Sequence, residues 1–126
     1  MSTRTLFSIV ESPAHPDFSR LYKQLDIREV RLASMRKAIS ALKNDTPDYV
    51  VAEFFYGYGN NYAGVNVSNL DVFLYSLQKY APEARVIVLV DRRERQYVEK
   101  LSALFALHAV LQQPVREQEV EPLFGD

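Results

Sequence analysis

Pro47-Asp48-Tyr49-Val50-Val51-Ala52-Glu53 is the stretch that decides the fold. Tyr49 to Ala52 is an unbroken apolar run, the pattern of a strand covered on both faces and not of a half-exposed one. Pro47-Asp48 punctuates the chain just before it. Glu53 follows the run directly. Burying a lone carboxylate costs several kcal/mol, so Glu53 is expected where the strand leaves the core. In open α/β sheets, sites are built at that edge.

On the N-terminal side, Thr5 to Val10 reads as a first apolar strand closed by Glu11-Ser12-Pro13. Asp17 is positioned to cap a first helix with an apolar face of Phe18, Leu21, Tyr22 and Leu25. Ile27 to Leu32 alternates charge with apolar residues, as an exposed edge strand does. Ser34 precedes a second helix carrying Met35, Ala38, Ile39 and Leu42, which ends near Asn44.

On the C-terminal side, Phe54 to Asn66 is aromatic and turn-rich. Ser68-Asn69-Leu70-Asp71 has the spacing of a capping box with Asp in place of Glu, opening a third helix along Leu70, Phe73, Leu74 and Leu77. Val86 to Val90 is a second continuous apolar strand, ended by Asp91. The same capping spacing, Asp91 to Glu94, opens a fourth helix through Tyr97, Val98, Leu101, Leu104 and Phe105. Ala109 to Leu111 is a short fifth strand, and the tail from Val115 has room for a turn or two of helix before Pro122. Strands and helices thus alternate in a (βα)5 order across residues 1–126, read as one domain. Right-handed crossovers then give a doubly wound, five-stranded parallel sheet.

Bulk composition narrows the function. The 126 residues are 48% hydrophobic and 25% charged with net charge -1, and include no cysteine. Disulfides, thiolate catalysis and cysteine-bound zinc are excluded. The charge balance leaves no footprint for nucleic acid or an anionic membrane. The short apolar stretch after Met1 fits neither a signal peptide nor a membrane span, so a soluble, cytoplasmic protein is expected. Arg92-Arg93-Glu94-Arg95 is read as a solvated helix start and not as a basic patch.

Three acids fall at strand ends: Glu11, Glu53 and Asp91. A strand order of 2-1-3-4-5 places those ends side by side. Asp91 reads first as a helix cap, and Glu11 could be a solvated loop acid. A cation bridging all three would make a metal-dependent phosphoester hydrolase, with His15 as a base; a lone His between prolines is more often solvated.

With these residues in place, the whole chain resembles the receiver domain of bacterial response regulators, of the CheY-like, flavodoxin-like fold. In that family the third strand reads Pro-Asp, an apolar run and an Asp that accepts a phosphoryl group; Pro47 to Glu53 matches with Glu53 at the acceptor position. The family's acidic pair that holds magnesium is Glu11-Ser12 here. Its Thr or Ser at the end of the fourth strand is Val90, its Lys-Pro is Gln113-Pro114, and its aromatic switch is Val110.

The framework is kept while nearly every reactive group is replaced. Phosphoryl transfer to a carboxylate needs a metal and an ammonium to hold developing charge. Gln113 offers an amide, Glu11 alone leaves a magnesium site short of a ligand, and Glu53 is a methylene too long for in-line attack. Val90 has no hydroxyl. These changes imply a pseudo-receiver: a non-catalytic signalling or adaptor module without cofactor or bound metal, acting through an unidentified protein partner. The alternatives are a still-phosphorylatable regulator and the hydrolase. Glu53 could also imitate a phosphorylated Asp, although Val90 and Val110 leave nothing to read the charge.

Two further surfaces stand out. Phe54 to Gly64 holds Phe55, Tyr56, Tyr58 and Tyr62, either a lid over the strand edge or an interaction loop. Its glycines match no phosphate-binding pattern. Flavin binding is disfavoured because Glu11 to Asp17, where its phosphate would sit, is acidic and proline-stiffened. By the resemblance, the fourth helix, fifth strand and tail would form a docking or homodimer face. A tail this short is expected to leave an apolar groove there.

Overall fold

The computed structural model describes residues 3–57 and 68–125. Five strands, β1 (Arg4–Ile9), β2 (Ile27–Leu32), β3 (Tyr49–Phe54), β4 (Arg85–Val90) and β5 (Ala109–Gln112), form one sheet in the order β2-β1-β3-β4-β5. All four pairings are parallel. The expected (βα)5 winding and strand order are both present. Among the described residues, no helix is long and apolar enough to cross a membrane.

Alternation along β3 divides the core into two layers, because successive side chains of a strand point to opposite faces. Val50, Ala52 and Phe54 face the layer that takes Ala38 of α2 (Met35–Ala41), Phe73, Leu74 and Leu77 of α3 (Asp71–Tyr80), and Val98 and Leu101 of α4 (Val98–Ser102). Tyr49 and Val51 face the other layer. There they meet Leu21 and Tyr22 of α1 (Ser19–Gln24), Val120 of α5 (Glu117–Val120), and Phe124 in the 3-10 turn that follows. Each such side chain, fully buried, contributes about 1.5–3 kcal/mol. Residue 53 shares the parity of Tyr49 and Val51. Glu53 is therefore delivered to the layer of α1 and the tail.

Helix starts follow the sequence with small shifts. The Ser34 hydroxyl accepts the Lys37 N–H at 3.1 Å, as a cap should. Asp17 does accept the Ser19 N–H at 3.0 Å, but the cap position is Phe18, one residue later. The Ser68–Asp71 motif is half reciprocal: Asp71 accepts the Ser68 N–H at 2.7 Å, while the Ser68 hydroxyl takes the Leu70 N–H at 3.1 Å. Asp91 accepts the Arg93 N–H at 2.8 Å.

The fourth helix departs from expectation. Arg92–Tyr97 is a 3-10 helix and only Val98–Ser102 is α-helical. Leu104, expected on the inner face, comes after the helix has ended and is 52% exposed. In the tail, Val115, Val120 and Phe124 are buried in the same layer as Tyr22 and Tyr49, and a cleft of about 400 Å³ lined by Leu25, Pro122 and Phe124 lies open beside it. Among the described residues, the large exposed apolar side chains are Tyr56 just after β3, Val72, Tyr75 and Tyr80 on α3, and Leu104.

Candidate functional site: a carboxylate enclosed by donors

Glu53 is 1% exposed, and the strand continues past it to a buried Phe54. The expectation that it marks the exit from the core fails because the carboxylate is not alone. Its Oε1 accepts the N–H groups of Glu11 and Ser12, each at 3.1 Å. Its Oε2 accepts the Ser12 hydroxyl and, at 3.5 Å, the Gln113 side-chain amide. A buried ion with several donors aimed at it avoids most of the cost that a bare one would incur.

His15 completes the enclosure. The expectation of a solvated loop His is corrected: it is buried, with Nδ1 3.6 Å from Glu53 Oε1. That distance is too long for a hydrogen bond, and Nδ1 makes no other. Its influence on Glu53 is thus electrostatic contact. Burial would push the Glu53 pKa up, but His15, the Ser12 hydroxyl and the Glu11 N–H outweigh it and hold it below the ordinary 4.5. Glu53 is a held anion.

Glu11 is not a solvated loop acid. Its Oε1 accepts the Asn69 side-chain amide at 2.7 Å. Burial pushes its pKa above 4.5 and the charge on Glu53 adds to this, while the bond from Asn69 opposes it. Asp91 faces outward to Arg93, whose side-chain and backbone bonds keep it ionised. Among the described residues, no group of three or more His, Asp or Glu side chains is placed to hold a metal ion. The three strand-end acids are neighbours in the fold without converging on one point.

Val90 is fully buried, and Val110 is half-buried on β5. Gln113 also donates to the Ala14 carbonyl at 3.3 Å, so it links the loop after β5 to the loop after β1. A cleft of about 500 Å³ opens over this edge, lined by Ser12, Glu53, Phe55, Arg93, Tyr97 and Gln113 among others.

The magnesium implied by the resemblance does not fit these residues. A hard cation collects oxygens, whereas the partners of both Glu53 oxygens and of Glu11 Oε1 are N–H and O–H donors. No step through a cation is supported here.

The aromatic stretch splits. Phe54 is core, and Tyr56 stacks on Tyr97 with ring centroids 3.9 Å apart. Tyr56 pairs with Ser68 in an isolated antiparallel bridge, which closes the base of the loop. At the described base of the loop, Tyr56 thus packs against Tyr97 at the start of α4. Tyr58 and Tyr62 lie outside the described residues. Sequence reading missed Asn69 as a member of the site and considered His15 only as a base in the hydrolase alternative; neither stands in a motif that marks it.

No family model matches the chain, and no curated protein matches it in sequence. Solved structures do match in shape. A CheY-like receiver domain protein from Methanospirillum hungatei aligns with TM-score 0.71 at 11% identity, covering 94% of this chain and 88% of the other. Receiver domain proteins from Clostridium thermocellum (TM-score 0.68, 14% identity, 95% and 90% covered) and Sinorhizobium medicae (0.66, 14%, 97% and 90%) align similarly. With five parallel strands in the same order, the chain has the fold of a response-regulator receiver domain.

Proposed function

We propose that this chain is a cytoplasmic, non-catalytic signalling or adaptor module, a pseudo-receiver that works through protein–protein contacts without being phosphorylated. The carrying observation is the enclosure of Glu53. Its two oxygens face Glu11, Ser12, His15 and Gln113, so an incoming phosphoryl group would have to displace donors already in place. The same carboxylate bridges the loops after β1 and β5, the task an anion would perform on binding, and it does so permanently. With valine at positions 90 and 110, the module has one state. Homodimerisation through α4, β5 and the tail belongs to this reading, with the exposed Leu104 beside that face.

Amide NMR of the full chain with magnesium and then beryllofluoride tests the proposal. Flat spectra at millimolar magnesium are expected. Shifts at Glu11 and Glu53 that spread to α4 on adding beryllofluoride would overturn it.

A further inference from the structure

Asn69 makes four hydrogen bonds at one place with three of its polar atoms. Its side-chain Nδ2 donates to Glu11 Oε1 at 2.7 Å and to the Glu53 carbonyl at 2.9 Å. Its Oδ1 accepts the Phe55 N–H at 2.8 Å, and its own N–H donates to the Phe55 carbonyl at 3.2 Å. The amide orientation is unambiguous. A carboxylate and a carbonyl can only accept, and a backbone N–H can only donate. Three oxygens from two separate segments, the end of β1 and the end of β3, are thereby gathered around one residue from the start of α3.

A carboxylate and backbone carbonyls are also the oxygens that a hard divalent cation gathers. Here they are gathered by N–H groups. We infer that Asn69 takes the place of a divalent cation at the C-terminal edge of the sheet, closing β1, β3 and the base of the aromatic loop without metal. This rests on the pseudo-receiver reading and deepens it by assigning the residue that makes the site independent of metal. It also accounts for a loop base that stays shut: Phe55–Asn69 and Tyr56–Ser68 form two successive rungs.

The role differs from that of a plain structural residue in one measurable respect, which is that losing it should create a demand for a cation. Asn69→Asp keeps the size and puts a carboxylate beside Glu11 Oε1 and the two carbonyls. Asn69→Ala frees the same oxygens without adding charge. Unfolding midpoints would be measured for both variants and the natural chain with and without calcium or magnesium. About 10 mM suffices, since even weak protein calcium sites bind near ~1 mM. The natural chain should be unmoved. Asn69→Asp should gain several degrees of Tm with cation and Asn69→Ala less, by mass action on the folded state. If either variant is unfolded in chelator, recovery of its circular dichroism on adding calcium is the supporting result and continued unfolding the opposing one.

Variants as blind to cations as the natural chain would overturn the inference and leave the pseudo-receiver reading standing. Cation binding by the natural chain at Glu11 would also overturn it. The wider reading falls only if beryllofluoride then binds as well.

Discussion

The two ends of β3 handle charge in opposite ways. At its start, the Tyr49 hydroxyl meets Arg4, whose guanidinium donates to it at 2.9 Å and also to the carbonyls of Phe124 and Leu25. That is a cation among acceptors, half-buried, tying the first strand to the tail. At its end, Glu53 is an anion among donors and is almost wholly buried. A half-buried cation keeps some hydration when a partner is lost. A buried cluster of donors has no water to fall back on, so removing its anion strands every one of them. The first arrangement is a clamp, while the second holds up the loops around it.

The largest expected effect follows at the buried end. Glu53→Ala should cost about 3–5 kcal/mol, since each buried donor left without its acceptor costs about 1–3 kcal/mol. It strands the Glu11 and Ser12 N–H groups and the Ser12 hydroxyl. Urea unfolding would measure it, and a loss under about 1 kcal/mol would mean that water reaches those donors freely. Ser12→Ala should cost less, and the double variant should fall well short of the sum, because both changes break the same bonds. Arg4→Ala should cost about 1–2 kcal/mol, with faster amide exchange confined to the tail around Phe124. Equal costs at the two ends would break the comparison.

Acid separates the two carboxylates at the C-terminal end. Glu53 has a folded pKa below 4.5, so its stabilisation is present above that value and is lost as pH falls through the lower folded one. Glu11 has the opposite sign. Its folded pKa is raised, so its ionisation works against folding near neutrality, and stability rises as pH falls from the raised value toward 4.5. Urea midpoints followed from neutrality downward should therefore rise slightly before they fall. Glu11→Gln should flatten the rise and Glu53→Gln the fall. A profile unchanged by Glu11→Gln would contradict its raised value.

How much of this was legible beforehand depended on the range of the forces involved. The apolar runs of β3 and β4 specify buried parallel strands, and their order was an expectation of the doubly wound fold that the chain resembles. Ser34 was readable as a cap because its bond to Lys37 spans three residues. Glu53 was found as the residue to explain, yet its burial was not, since the donors that permit it come from residues 11 to 15 and 113. Asn69 was hidden for the same reason: in sequence it looks like filler inside a capping motif, and its partners lie up to 58 residues away. Leu104 was misplaced because the capping spacing at Asp91 specifies a helix start, but not that the first turns are 3-10. Each such turn rotates the face that later residues present.

The smallest effect sharpens the comparison by moving just beyond the strand end. Tyr56 stacks on Tyr97 at an interplanar angle of 12°, and Lys100 lies over both rings at 5.3 and 5.8 Å while donating to the Tyr56 hydroxyl. Tyr56 and Lys100 are exposed and Tyr97 is half-buried, so water competes for these contacts. Tyr97→Ala should cost about 0.5–1.5 kcal/mol, and Lys100→Ala about 0.5 kcal/mol or less. Near-ultraviolet circular dichroism should report the lost ring pair, and amide exchange at Tyr56 should quicken. The Glu11 and Ser12 amides should keep their protection, because the donor enclosure around Glu53 does not include these rings. If those amides open together with Tyr56, the lid and the carboxylate are one cooperative unit, and the boundary of the buried anchor must be redrawn to include the start of α4.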